Sequence, residues 1–348
     1  MSLLVVNYHY IDETEEGIYP FSGIYPVSVS RFEKQLEILA QSFCFVGQKD
    51  IIDAVKGKNK LPEKSCLITF DDGLLCQYEK ALPILDKRNI PAIFFTSGGA
   101  YQARKGAIII SHKIHWCMAH LAPNVFLDKI NFYHKKFFGE EFNLKKFNID
   151  DEVVRKQYNY GDIETSRLKF ILNYLFDERM YKTIIDPMFS ELVENEESFF
   201  NSFYLSRQQI RELAERSFLG FHGFSHQSFL YLSLEKMDKE ITNCQEVFRG
   251  IVGDSLIPSS ISFPRGGIPM QSYDELKSIL VKRGMKLGFT TERSFNLGLE
   301  EHFLLARLDA NDVPEGKSPL FEIKNGGIEI FNPKLSLARR KFFKEESL

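Results

Sequence analysis

No pair of cysteines in this chain is spaced as Cys-x-x-Cys, and five cysteines in 348 residues is an odd, scattered set: Cys44, Cys66, Cys76, Cys117 and Cys244. That excludes a disulfide framework or a zinc ribbon and suits free thiols in a reducing compartment. Charge of one sign is also lacking. The formal net charge is -3, with 44 Lys and Arg against 47 Asp and Glu, so no nucleic-acid footprint is present. No run reaches the ~18 apolar residues of a membrane span. The opening MSLLVVNYHYIDE carries neither a basic leader region nor a long apolar stretch, and it reads directly as a first strand. The expectation is a soluble cytoplasmic protein. Tryptophan is almost absent (Trp116 alone), whereas phenylalanine is abundant at 32 residues and supplies ample material for a core.

What is present is a rhythm. Apolar runs (residues 3–10, CLITF at 66–70, PAIFFTS at 91–97, FLGFHG at 218–223, SISFP at 260–264, KLGFTT at 286–291) alternate with amphipathic helical stretches. Such alternation predicts βαβ units and a parallel sheet. Phe32, Leu36, Leu39, Ala40 and Phe43 recur at helical spacing, with Ser30 and Glu33 placed as a capping box before them. Ser206 and Gln209 repeat that signature. Met237, Ile241, Cys244, Val247 and Phe248 mark one face of a later helix. The rhythm breaks over about residues 100–205, which read as an inserted helical subdomain. After residue 313, Asn325-Gly326-Gly327 predicts a terminal hairpin. The segment 314–348 ends in a basic stretch with Lys334, Arg339, Arg340, Lys341 and Lys344 among Leu and Phe. That stretch is either a helix packed on the domain or a peripheral membrane contact.

Three strand ends carry polar residues that packing alone does not require. They are Asp71-Asp72 after CLITF, His222 and His226 in HGFSH, and Pro264-Arg265 in FPRGG. In parallel α/β architectures, sites gather at the carboxyl ends of strands. Singly, each motif has an ordinary explanation: Asp-Asp-Gly is common turn chemistry, and His-x3-His is often two surface residues one helical turn apart. Jointly, in this order after apolar strands, they fit a metal hydrolase. Two imidazoles and one carboxylate hold a divalent cation with an open position. Such a cation lowers the pKa of water and polarises a carbonyl. A second carboxylate accepts the proton. His112, His115 and His120 form a competing cluster without a carboxylate at ligand spacing, and Trp116 with its aromatic neighbours packs the insert or offers a sugar-stacking wall.

TFDDG, HGFSH and SFPRGG resemble the motifs of the polysaccharide deacetylase family, the NodB-homology domain of carbohydrate esterase family four. NYHY, VSVSRFEKQLEIL and FLLARLDAND are similar to its N-terminal and closing segments, so the resemblance spans most of residues 3–313. It implies an α/β fold, a distorted, incomplete (β/α) barrel, with the helical insertion at about 100–205. It implies metal-dependent removal of N-acetyl groups from a carbohydrate. Carried over, Asp71 is the general base, Asp72, His222 and His226 bind a divalent metal (zinc, with cobalt or nickel as alternatives), and the Arg265 N–H meets the oxyanion. The third motif departs from the family: where many members have Arg-x-Pro-Tyr, this chain has Ser262-Phe263-Pro264-Arg265, so the arginine that braces the base is missing there. The late Leu-x-His is also absent. His302 precedes its strand, and His9, ending the first strand, is the better candidate for an added catalytic histidine, beside an equal reading as a packed or hydrogen-bonded one. Arg307, flanked by apolar residues, reads either as a buried cation near Asp71 or as an edge residue, the first being preferred because charges are rarely buried unpaired. Two other readings stay open, a non-catalytic sugar-binding protein on the same fold and a hydrolase of another C–N bond. The expected partner is a carbohydrate (a glycan precursor, an activated sugar or a lipid-linked one), with no nucleic acid.

Overall fold

The computed structural model describes residues 2–12, 26–103, 106–158 and 162–330. The basic stretch at 334–344 lies outside them. The chain divides into two compact units. One comprises Met1–Ile11, Val27–Gly106 and Asn201–Leu348; the other comprises Asp12–Pro26 and Ala107–Phe200.

The first unit is built on a parallel sheet. Its strands are β1 (Ser2–Tyr8), β2 (Cys44–Phe45), β3 (Lys64–Phe70), β4 (Ala92–Thr96), β5 (Leu219–Phe221), β6 (Ser260–Ser262), β7 (Leu287–Phe289) and β8 (Leu308–Asp309). The order is β7-β6-β5-β4-β3-β1-β8, with β2 paired to the start of β3. All these pairings are parallel, as βαβ crossovers require. The sheet curls into an incomplete barrel. The run into β8 bridges the seam, since Leu305 pairs with Phe289 before Leu308 pairs with Val6 on β1.

The period of two along each strand sorts the side chains. Leu3 and Val5 on β1, Leu67 on β3, Ile93 and Phe95 on β4, Leu287 and Phe289 on β7, and Leu305 form one buried cluster. Two residues further along, the same alternation brings Asn7, Thr69 and then Asp71, Ser97 and Arg307 to the carboxyl end. The interior is thus apolar at one end and polar at the other. Gly220 on β5 is required there, because a Cβ would overlap the Phe95 ring. On the other face, Tyr8, Phe70 and Phe94 pack under the helix Val29–Leu39. Phe70 and Phe94 stack at 4.6 Å, and Phe32 meets Tyr8 edge-on at 5.0 Å.

Local signals account for the surrounding elements, with one correction. The first helix is capped by Ser28, whose hydroxyl accepts from Arg31 N; Ser30 lies inside the helix, so the Ser30–Glu33 box does not form. Ser28 wins because the helix starts two residues earlier than its apolar spacing indicates. The Ser206–Gln209 box is present. The helix Leu234–Val252 buries Met237, Ile241, Cys244 and Phe248 as its spacing predicts. The hairpin of β9 (Phe321–Lys324) and β10 (Gly327–Ile330) turns at Asn325-Gly326, both at positive φ, 51° and 72°.

The second unit is helical. Its helices include Ile110–His120, Pro123–Phe138, Ile163–Phe170 and Asp186–Leu192. Within it Trp116 stacks on His120 at 4.0 Å and meets Phe199 edge-on at 4.7 Å, so the single tryptophan packs the unit. Among the described residues, no helix is long and apolar enough to cross a membrane.

Candidate active site

Asp71 and Asp72 follow the last residue of β3. The chain reverses between them because Asp72 adopts φ +79° and Gly73 φ +66°. Glycine is demanded at 73 on two counts, since a Cβ there would also sit 2.6 Å from Thr96 Oγ1. The reversal sends the two carboxylates to different partners. Of the eight described non-glycine residues at positive φ, three are Asp72, His226 and Arg265. Backbone held in this costly region gathers at functional sites.

Asp72 faces two imidazoles. Its Oδ1 lies 3.4 Å from His222 Nε2 and 3.1 Å from His226 Nε2. Among the described residues this is the one group of three donors placed to hold a metal ion, and all three residues are buried. Four ligands at the usual zinc distances around a tetrahedron stand about 3.3 Å apart, close to the two separations of Asp72 from the imidazoles, and all three donors lie within 4.8 Å of one another. The donor set therefore fits a divalent cation. His222 donates from Nδ1 to the Ser262 carbonyl at 2.9 Å, which fixes its tautomer and leaves Nε2 for the site. Burial opposes charge on His222, but Asp71 and Asp72 together raise its pKa above the ordinary histidine value. Burial dominates at His226 and depresses it to about 4, with the positive charges of His222 and Arg265 assisting.

Asp71 meets a fixed cation. Arg307 Nη1 donates to Oδ1 at 2.8 Å and Nη2 to Oδ2 at 2.7 Å, and Asn7 Nδ2 adds a bond to Oδ2 at 3.1 Å. All five guanidinium donors are used, because Nε reaches the Thr290 carbonyl and the remaining N–H groups reach Asn7 Oδ1 and Ser262 Oγ. Burial raises the Asp71 pKa, but Arg307, then His222 and His9, more than offset it and hold the carboxyl well below the usual range. Three of about four carboxylate acceptor positions are taken, and one remains on Oδ1. The guanidinium absent from the third motif thus arrives from the far end of the chain, across the barrel seam.

His9 follows β1, half-buried, with its imidazole among the groups acting on Asp71. Gln77 is fully buried and opens a π-type turn, Gln77–Ala81. Its amide donates to the carbonyls of His9 (2.8 Å) and Asp71 (2.6 Å), tying the two strand ends together. Arg265 sits in a short turn after β6 with φ +59°. The sequence reading assigns no role to Asn7, Ser262 or Gln77, although Asn7 and Ser262 stand in its motifs and are visible as polar interruptions of apolar strands. Elsewhere, the rings of His112 and His115 lie 6.3 Å apart in the helical unit and join no three-donor group among the described residues. His302 donates no side chain to the site; its carbonyl accepts from Gly288 N.

Residues 58–115 match the family model described as polysaccharide deacetylase. Over 107 residues, 28% of this chain, the sequence is 37% identical to the poly-beta-1,6-N-acetyl-D-glucosamine N-deacetylase of Staphylococcus aureus (strain MSSA476), and it spans 37% of the length of that relative. Among solved structures, a de-N-acetylase from Aggregatibacter actinomycetemcomitans is similar at a TM-score of 0.51 and 14% identity, covering 89% of this chain and 96% of the other. IcaB from Ammonifex degensii is similar at a TM-score of 0.50 and 19% identity, covering 88% and 91%. At these identities the likeness to solved structures is one of fold.

Proposed function

Because the chain resembles the polysaccharide deacetylases in its motifs and its barrel, we propose that it is a metal-dependent carbohydrate N-deacetylase. The observation that carries this reading is the convergence of Asp72, His222 and His226, with Asp71 Oδ2 at 4.0 Å from His222 Nε2. A divalent cation, zinc first, bound by these three residues supplies Lewis-acid polarisation of the acetamide carbonyl and a water of lowered pKa. Asp71 is the proton acceptor, using the vacant position on Oδ1 while Arg307 keeps it ionised and oriented. The backbone N–H of Arg265 faces the oxygen that becomes negative as the carbonyl carbon turns tetrahedral. His9 returns a proton to the nitrogen as the C–N bond breaks. A C–O bond forms in its place, so acetate and a free amine are the products.

The substrate class is a carbohydrate bearing N-acetyl groups. Poly-beta-1,6-N-acetyl-D-glucosamine, named for the curated relative, is the first probe. The setting is the cytoplasm, with a glycan precursor, an activated sugar or a lipid-linked sugar as the natural form. The unpaired, buried thiols of Cys66, Cys117 and Cys244 support a reducing compartment.

The test measures metal content by elemental mass spectrometry, and acetate released from N-acetylglucosamine oligosaccharides, for wild type, Asp72→Ala and His222→Ala. About one ion per chain in wild type, lost in both variants together with acetate release, supports the reading. A wild type that keeps no zinc, cobalt or nickel transfers the case to sugar binding without catalysis. Metal retention with hydrolysis of formamides or cyclic imides but not of acetamido sugars transfers it to another C–N bond.

A further inference from the structure

His222 and His226 are joined by a three-residue loop, Gly223-Phe224-Ser225, and metal binding depends on how that loop spaces the two rings. The loop is held from both sides. On one side its carbonyls are taken: Gly98 N donates to the Gly223 carbonyl at 3.1 Å and Gly99 N to the Phe224 carbonyl at 2.8 Å. On the other side stands Glu240, midway along the helix Leu234–Val252 and nowhere in the motifs. Its Oε2 accepts from Phe224 N at 2.7 Å and Ser225 N at 2.8 Å, and its Oε1 accepts from Ser225 Oγ at 2.7 Å. Three short bonds from one carboxylate cover the stretch between the ligands. They end one residue before His226, whose φ of +59° is a conformation that a non-glycine residue keeps only under external restraint.

We propose that Glu240 is a positioning residue for the metal site, setting the separation of His222 and His226 through the loop between them. This rests on the metal-site reading above. Glu240 touches neither the donor atoms nor Asp71; it acts by keeping two backbone N–H groups aligned, so that His226 stays left-handed and its Nε2 points at Asp72. The helix that carries it is anchored independently by Met237, Ile241, Cys244 and Phe248. Loss of the carboxylate should therefore loosen the loop without unfolding the unit. Residues that orient metal ligands through hydrogen bonds commonly change affinity by about 10–100-fold when removed.

The test is zinc affinity of the full chain by chelator competition, with the thermal midpoint of the metal-free protein measured beside it. Glu240→Leu should bind zinc about 10–100-fold more weakly than wild type. Glu240→Gln keeps the geometry, because its amide oxygen accepts both N–H groups and its NH2 donates to Ser225 Oγ, so it should restore most of the affinity. Metal-free midpoints of the Leu and Gln variants should agree. Ser225→Ala, which removes one of the three bonds, keeps the test available should the Leu variant fail to fold. It should weaken zinc binding roughly threefold in the wild-type background and not at all beside Glu240→Leu, as coupled groups do. Equal affinity of Leu variant and wild type, or a Gln variant as weak as the Leu variant, overturns the positioning role while leaving the metal site standing. A wild type without metal affinity overturns the functional reading itself, and this inference with it.

Discussion

Arg307→Met is the substitution with the largest consequence that the geometry supports. The guanidinium and the Asp71 carboxylate bury each other almost completely, with side-chain exposures of 1% and 3%, at 2.7 Å. Methionine keeps the apolar length but leaves Asp71 with only the Asn7 amide. Breaking a buried pair by removing one partner costs about 3–5 kcal/mol, because a charge is stranded. At about 1.4 °C per kcal/mol for 348 residues, from an unfolding entropy of about 2.1 cal/mol/K per residue, the thermal midpoint should fall by about 4–7 °C at pH 7.5. The pH dependence gives the reasoning a second handle. In wild type the Asp71 pKa is depressed, so its contribution is complete above the unfolded carboxyl value and is lost only as pH falls below it. In Arg307→Met burial is opposed only by His222, His9 and the Asn7 amide, so the pKa should rise above its unfolded value. The group then binds its proton more tightly folded than unfolded, and the variant loses stability as pH rises through that raised value. The gap in midpoint between variant and wild type should thus be small near pH 4 and widen toward pH 8. Asp71→Asn/Arg307→Met, which removes both charges, should recover most of the loss. Thermal scans of the three proteins across pH decide it. A gap under about 2 °C at pH 7.5, a gap independent of pH, or no recovery in the double variant would refute the account of the pair.

Two further outcomes follow from the same geometry. Asp71→Asn should retain metal, since the three ligands are untouched, and lose turnover by at least 10²-fold, the usual scale of a lost general base; metal content beside acetate release checks this, and near-normal turnover would remove Asp71 from the base role. Zinc affinity of wild type should fall as pH drops through the raised value of His222, approaching tenfold per unit, because that imidazole must lose its proton to bind, whereas His226, depressed to about 4, competes with protons only at lower pH. Chelator competition between pH 5.5 and 7.5 reads this, and a flat profile would contradict the directions assigned to the two imidazoles.

The parts of the site whose placement is legible in the sequence are contiguous residues at strand ends: the Asp71-Asp72-Gly73 reversal, the His222–His226 spacing and the turn at Arg265. The alternation of strands and helices was equally plain, because each apolar run is bounded by turn chemistry. What could not be read is set by register. Asn7 reaches Asp71 because β1 and β3 pair Asn7 with Thr69. Ser262 can serve both Arg307 and His222 because β6 lies between β5 and β7. Gln77 reaches His9 only through a π-type turn that no periodicity announces. Glu240 lies sixteen residues beyond Phe224 on a helix whose exposed face looks ordinarily polar. Ser28 displaced Ser30 as a cap for the reason that most boundary errors share: apolar spacing locates the middle of a helix better than its first turn.

The adjacency of two like charges is resolved by sorting them onto different cations. Asp71 is neutralised within the protein by Arg307, a partner that is always charged and fully hydrogen-bonded. Asp72 is left with two imidazoles, one of which is held neutral by burial at ordinary pH. Counting the buried groups with both imidazoles neutral, two carboxylates and one guanidinium leave a net charge of about -1, which a low-dielectric site tolerates poorly alone and a divalent cation converts to about +1. On the proposed function, a site at +1 would favour an acetamide that becomes anionic in the transition state over the neutral amide in the ground state, which is the difference that accelerates a reaction. Were the Arg307 charge removed, the same sum would start at -2 and end at zero with a cation bound. Arg307→Met should therefore hold its metal at least as well as wild type while losing the preference for the anionic state. Tight metal with slow turnover in one variant is a combination that simple misfolding of the site does not produce.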